Sequence, residues 1–201
     1  KTFNTGATSF DDGDTLSFTN EDLGTGKAFG FSAGKYLNDN FRLELEAIKR
    51  TGYEYDVRDE GDSSKTVEAK IETHALFING FYDFQPFSIS NTPITPYLGG
   101  GVGFSRNKMG TNVDHTDGLY DGTISDGDTI NQFAYKLSAG TLFSLTEQLS
   151  LDVNYQYVNL GAFESGTDKY EFDVYSNTLL RPLNGGDIKT QELMIGLQYK
   201  F

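Results

Sequence analysis

Apolar and polar residues alternate one by one along much of this chain. In Phe41-Arg42-Leu43-Glu44-Leu45-Glu46-Ala47 every odd position is apolar and every even one charged, which sends the two classes to opposite faces of a strand. A helix of the same residues would scatter its charges round the axis. The alternation returns in Phe133 to Leu145, in Leu149 to Tyr157 and in Glu192 to Phe201, and it predicts four long strands. Three more are predicted over Lys27 to Leu37, Glu68 to Phe84 and Tyr97 to Arg106. The last is opened by Pro96, a position where a strand tolerates proline.

The connections sort by length. Asn38-Asp39-Asn40 and Thr146-Glu147-Gln148 are tight turns, and the link from Phe84 to Pro96 is of middling length. The others, about 1–26, 52–67, 107–130 and 162–187, are long, polar and glycine-rich. Short turns at one end and long loops at the other are the plan of an up-and-down transmembrane barrel.

Taking the apolar face as lipid-facing, the outward set includes Phe29, Phe31, Leu43, Leu45, Ile71, Ala75, Phe77, Leu98, Val102, Phe104, Leu137, Leu151, Val153, Leu193, Ile195 and Leu197. The opposite face collects Arg42, Glu44, Glu46, Lys70, Glu72, His74, Lys136, Asp152, Glu192 and Lys200, with Asn154, Gln156 and Gln198 among them. A soluble barrel would bury its apolar face, so the charges set the orientation as apolar outside and polar inside. Near-balance of acids and bases on that inner face predicts a paired lumen network, because an unpaired charge in a narrow lumen costs several kcal/mol. Gly99, Gly101, Gly103, Gly140 and Gly196 are expected to leave room for the long inward side chains.

Composition fits this reading. The 201 residues hold 16 Phe, 12 Tyr and 23 Gly but only 37% apolar residues. That content suffices when only alternate strand residues meet lipid. The net charge is −13, from 29 acidic and 16 basic side chains. The four long connections together carry −14, leaving strands and short turns at +1. An acidic balance without a basic stripe disfavours nucleic acid as a partner. With no Cys, disulfides and thiol chemistry are excluded. The start at Lys1, without Met, is expected to mark a processed or trimmed form.

The segments Gly30 to Leu37 with Asn40 to Glu46, Asn79-Gly80-Phe81-Tyr82-Asp83-Phe84, and Thr95 to Phe104 with its run Gly99-Gly100-Gly101-Val102-Gly103 resemble the small bacterial outer-membrane barrels of the surface-antigen and opacity-protein type. So do Tyr135 to Gly140, Leu149 to Tyr157 and the closing Gly196-Leu197-Gln198-Tyr199-Lys200-Phe201, in order over about residues 27 to 201. The resemblance implies a single all-β domain over 1–201, an antiparallel barrel of eight strands in the bacterial outer membrane. It implies exposed loops that contact a host, phage or neighbouring surface partner, no enzyme activity and no cofactor. Phe201, with Tyr199 before it, stands where the family carries an aromatic signal for the barrel-assembly machinery. Outer-membrane lipids and lipopolysaccharide are the implied surroundings.

Seven strands are clear from residue 27 onward, and single-chain bacterial barrels close with an even number. Residues 1–26 are expected to be mostly the first long loop, with most of the first strand before Lys1. An intact mature mass equal to this sequence would overturn that expectation.

Catalytic chemistry has little to draw on. His74 is expected within the lumen network, and His115 within an acidic exposed loop. The clustered oxygens of Asp11, Asp12, Asp14, Asp117, Asp121, Asp126 and Asp128 beside glycines suit Ca²⁺, yet none has the spacing of a full calcium loop and Asp-Gly is ordinary turn chemistry. The leading functional expectation is a lumen-plugged, adhesin- or antigen-like surface barrel, and the alternative is a narrow porin or small-solute channel. A soluble lipocalin-like barrel is disfavoured by the charged interior.

Overall fold

The computed structural model describes residues 2–4, 24–58, 65–89, 92–115, 128–163, 169–170, 178–179 and 186–200. Among them every regular element is a strand. In chain order these are β1 (Thr2–Asn4), β2 (Lys27–Tyr36), β3 (Phe41–Arg58), β4 (Lys65–Asp83), β5 (Phe87–Ile89), β6 (Thr92–His115), β7 (Thr129–Ser144), β8 (Leu149–Asn159), β9 (Lys169–Tyr170), β10 (Thr178–Leu179) and β11 (Ile188–Tyr199). One antiparallel sheet runs β1-β11-β8-β7-β6-β4-β3-β2, with β5 paired to the start of β6, and β9 pairs β10 separately. Neighbours in sequence are neighbours in space, as tight turns demand of antiparallel strands.

The seven predicted strands are present, and three are longer than their alternation suggested. The β3·β4 ladder continues to Arg58↔Thr66, and the β4·β6 ladder to Lys65↔His115. Much of 52–67 and the first part of 107–130 are therefore strand rather than loop. Apolar residues still alternate there, as in Tyr53, Tyr55 and Val57 and in Val67 and Ala69, but the high polar and charged content masks the pattern. β6 also begins earlier than Pro96, since Thr92 to Ile94 pair with β5. Pro96 directs its carbonyl to the Phe84 amide at 2.8 Å, just beyond the end of β4. The β6·β7 ladder continues past it to Ile94↔Phe143, so Pro96 lies within β6 and not at its start.

The ladder of β3 and β4 shifts between Arg50 and Tyr53. Gly52, at φ +85°, supplies the left-handed backbone such a bulge requires. Thr51 and Gly52 stand opposite Glu72 alone, and this one extra residue keeps both Arg50 and Tyr53 on the inner face, where both are buried.

The sheet curls strongly. β2 pairs with β3 alone, and β11 pairs with β8 and, over Ile188 to Thr190, with β1. Side chains nevertheless connect the two ends of the sheet, from Arg50 on β3 to Glu192 on β11. Between β2 and β11 lies a cavity of about 850 Å³ bordered by Ser32, Gly34, Tyr36, Glu44, Asp152 and Gln198.

The outer surface is apolar, with Phe31, Leu45, Leu76, Ile78, Leu98, Val102, Leu137, Ile195 and Leu197 all exposed. Phe41, Tyr82 and Phe84 stack edge to face near the short turns, an aromatic girdle of the kind a membrane interface favours. The facing of β4 differs from the sequence expectation. Ile71, Ala75 and Phe77 point inward and are buried, whereas Leu76 and Ile78 point outward and are exposed. Register decides this, because Leu45↔Ile78↔Val102 share the outer face.

Candidate functional site

The inner face is built in tiers from the short-turn end. Arg42 from β3 pairs with Glu44 on its own strand and, at 3.3 Å, with Asp83 of β4. Its guanidinium carbon lies 4.5 Å from the centre of the Phe81 ring and 5.0 Å from that of Tyr97, an arrangement that holds a desolvated cation. Tyr97 donates its hydroxyl to Asp152 at 2.7 Å, and Ser32 donates to Glu44 at 3.0 Å. β2, β3, β4, β6 and β8 are thereby linked through one basic group.

One tier further out, Lys136 of β7 pairs with Glu46 of β3, and Asn79 donates to the same carboxylate at 2.7 Å. Gln156 donates to Glu192 at 2.6 Å, and Arg50 meets both oxygens of Glu192 at 2.6 and 3.1 Å. The planar fork of a guanidinium is what makes such a bidentate contact geometrically exact in two bonds. Arg50 is fully buried and Glu192 nearly so. Small residues opposite make the space: a Cβ on Gly101 would stand 2.0 Å from the Asn79 Oδ1.

Apolar side chains pack among and beyond these charges. Ile71, Phe77, Met109, Val158, Leu160 and Phe163 form a buried cluster. The chain leaving β8 folds in over it, turning at Gly161 (φ +71°). Asn107 holds that segment by donating to the carbonyls of Leu160 and Ala162 at 2.9 and 2.8 Å. Ion pairs and apolar side chains therefore interleave along the interior, with Phe77 level with Glu46 in register and Arg50 further toward the long loops.

Of the residues expected inside, Arg42, Glu44, Glu46, Lys136, Asp152 and Glu192 lie there, Arg42 paired with Glu44, Lys136 with Glu46, Asp152 bonded to Tyr97 and Glu192 to Arg50. Lys70, Glu72 and His74 do not. They stand on the outer face of β4, with Lys70 and His74 exposed; Glu72 accepts from Lys49 at 2.8 Å and contacts His74 at 2.9 Å. The physical reason is the register just given, which turns Ile71, Thr73 and Ala75 inward. Lys200 is exposed at the end of the sheet, its ammonium 5.0 Å from the Tyr36 ring across the β2–β11 gap. Tyr199 is exposed on the outer face and donates to Gln148 at 3.3 Å. Phe201 and the aspartates 11, 12, 14, 117, 121 and 126 lie outside the described residues. Asp128 is described and exposed, and it accepts from the Thr129 amide at 2.6 Å.

Arg50 and Asp83 escaped the sequence reading. Both keep the inward parity of their strands, Arg50 continuing Arg42, Glu44 and Glu46, and Asp83 continuing Asn79 and Phe81. Extending each alternation by a few residues would have found them.

A family model described as "Outer membrane protein beta-barrel domain" matches residues 2–201. "Outer membrane protein PagN" of Salmonella typhimurium is 25% identical over 186 residues, covering 89% of this chain and 73% of that protein. "Putative adhesin RC1281" of Rickettsia conorii is 26% identical over 183 residues, covering 87% of this chain and 68% of that protein. The crystal structure of Neisserial surface protein A resembles this one with a TM-score of 0.48 and 19% identity, covering 88% of this chain and 84% of that one.

Proposed function

Since this chain belongs to the outer membrane protein β-barrel family and resides in the outer membrane, we propose that it is a non-conducting anchor whose long acidic loops make contacts at the cell surface. The observation that carries this reading is the filled interior: ion pairs centred on Arg42, Lys136 and Arg50, with the Phe77–Met109–Phe163 apolar cluster packed among and beyond them. A solute would have to break buried charge pairs and displace the apolar side chains packed among them. Removing one partner of a buried pair costs about 3–5 kcal/mol, so a steady ionic path is not built into this interior. The barrel is then a scaffold, and binding falls to its loops.

An adhesin-like role is supported by the name of the Rickettsia relative, and the partner is a protein or glycan surface outside the cell. No catalytic step enters this role, and its surroundings are outer-membrane lipid and lipopolysaccharide, reached with the help of the barrel-assembly machinery. Two measurements on the intact protein test it. In planar bilayers, rare and small openings are expected, and steady conductance would favour the channel reading. In cross-linking on whole cells, a partner captured by the native protein is expected to vanish when the loop at 162–187 is shortened; capture unchanged by loop shortening would overturn a loop-borne function.

A further inference from the structure

The wall carries a basic row at one height. Register places Phe29, Lys49, His74, Arg106 and Asn131 side by side across the outer surface of β2, β3, β4, β6 and β7. The next row toward the short turns is Phe31, Ala47, Leu76, Phe104 and Phe133, in which the three phenylalanines and Leu76 are exposed. On β3, β4 and β6 apolar surface thus gives way to basic side chains in a single step, as expected where a membrane's hydrocarbon ends and its head groups begin. A shallow groove of about 630 Å³ spans both rows.

The charges in and beyond that row are unequal. Lys49 and His74 share the Glu72 carboxylate, which fixes them over the groove. Arg106 lies beside His74 in register, and Lys108 lies beside Glu72 one step further out. Both are exposed, and among the described residues no carboxylate pairs with either. The long loops of this protein carry a net negative charge, so a cationic strip on the wall is opposite in sign to the loops taken together. Its complement is a molecule with an acyl chain to lie on Phe31, Leu76 and Phe104 and an anionic group at the height of Arg106 and Lys108. A guanidinium takes a phosphate through paired hydrogen bonds.

We propose that the β3–β4–β6 wall is a docking site for the phosphorylated glycolipid of the outer leaflet, with Arg106 and Lys108 gripping a lipopolysaccharide phosphate and Lys49 and His74 at its edge. The inference rests on outer-membrane residence and is independent of whether the lumen conducts.

The full chain, folded in detergent, is titrated with lipid A and with dephosphorylated lipid A, each followed by native mass spectrometry. Phosphorylated lipid A is expected to bind at least about tenfold more tightly, and the variant R106Q/K108Q is expected to lose that preference. Heat-modifiable migration on a gel shows that the variant is folded, and its recovery in the outer-membrane fraction of cells tests residence separately. Inorganic phosphate at equal concentration is expected not to compete. Equal binding of the two lipids, an unaltered preference in the folded variant, or full competition by inorganic phosphate would each overturn the proposal.

Discussion

Arg50 on β3 and Glu192 on β11 stand 142 positions apart in the chain, and both oxygens of the carboxylate meet the guanidinium at 2.6 and 3.1 Å. The two strands lie toward opposite ends of the sheet order, so this pair is where the sheet's curvature becomes a tertiary contact. Gln156 of β8 and Tyr53 of β3 hydrogen-bond to the same carboxylate, so three strands meet at Glu192.

Breaking that pair leaves a buried charge without its partner. Arg50→Gln is expected to destabilise the folded barrel by about 3–5 kcal/mol, read as a shift in urea unfolding in lipid vesicles. The double variant R50Q/E192Q is expected to recover part of the loss. A cycle with no coupling between the two sites would show that the contact does not form.

The inner side of β4 packs and its outer side faces lipid. Phe77→Ala removes a fully buried ring and is expected to cost about 3–5 kcal/mol, because a cavity is left behind. Leu76→Ala removes an exposed side chain whose place lipid can take, and only the transfer contribution of about 1–2 kcal/mol is lost. If the order of the two losses is reversed in the same unfolding assay, the facing of β4 is wrong.

Space at Gly101 is already used. A Cβ there falls 2.0 Å from Asn79 Oδ1, and Asn79 is in turn tied to Glu46. Gly101→Val is expected to destabilise by about 1–3 kcal/mol through overpacking, whereas Gly80→Val, with open space around its Cβ position, is expected to be far milder. Thermal or urea midpoints of the two variants check this.

The Lys136–Glu46 pair sits against the apolar cluster, with the Lys136 ammonium 5.2 Å from the centre of the Phe77 ring. Truncating all three, as E46A/F77A/K136A, is expected to raise the frequency and size of openings in planar bilayers over the native protein. Identical current traces would mean that the block lies elsewhere.

Single-residue alternation by itself determined that the chain forms long antiparallel strands, and turn chemistry determined which of them are neighbours. Charged residues opposite the apolar ones in β3 and β8 were enough to set lipid outside and polar groups within, because no soluble core would accept Arg42, Glu44, Glu46 and Asp152 together. The family resemblance carried by Asn79 to Phe84 and the Gly99 to Gly103 run pointed the same way.

What alternation could not decide was the medium each stretch of a face meets. Along β4 the outer face reads Lys70, Glu72, His74 and then Leu76, Ile78, while the inner face reads Ile71, Ala75, Phe77 and then Asn79, Asp83. Each face changes polarity where the strand passes from the membrane to its outer boundary, so the charges of its first half point to the wrong side. A period of two says that neighbours lie on opposite faces and nothing about which face is inside. That choice belongs to the register with β3 and β6, a relation between residues far apart in the chain. The same long-range pairing brought Arg50 to Glu192 and lined up Lys49, His74 and Arg106, which no local pattern in the sequence connects.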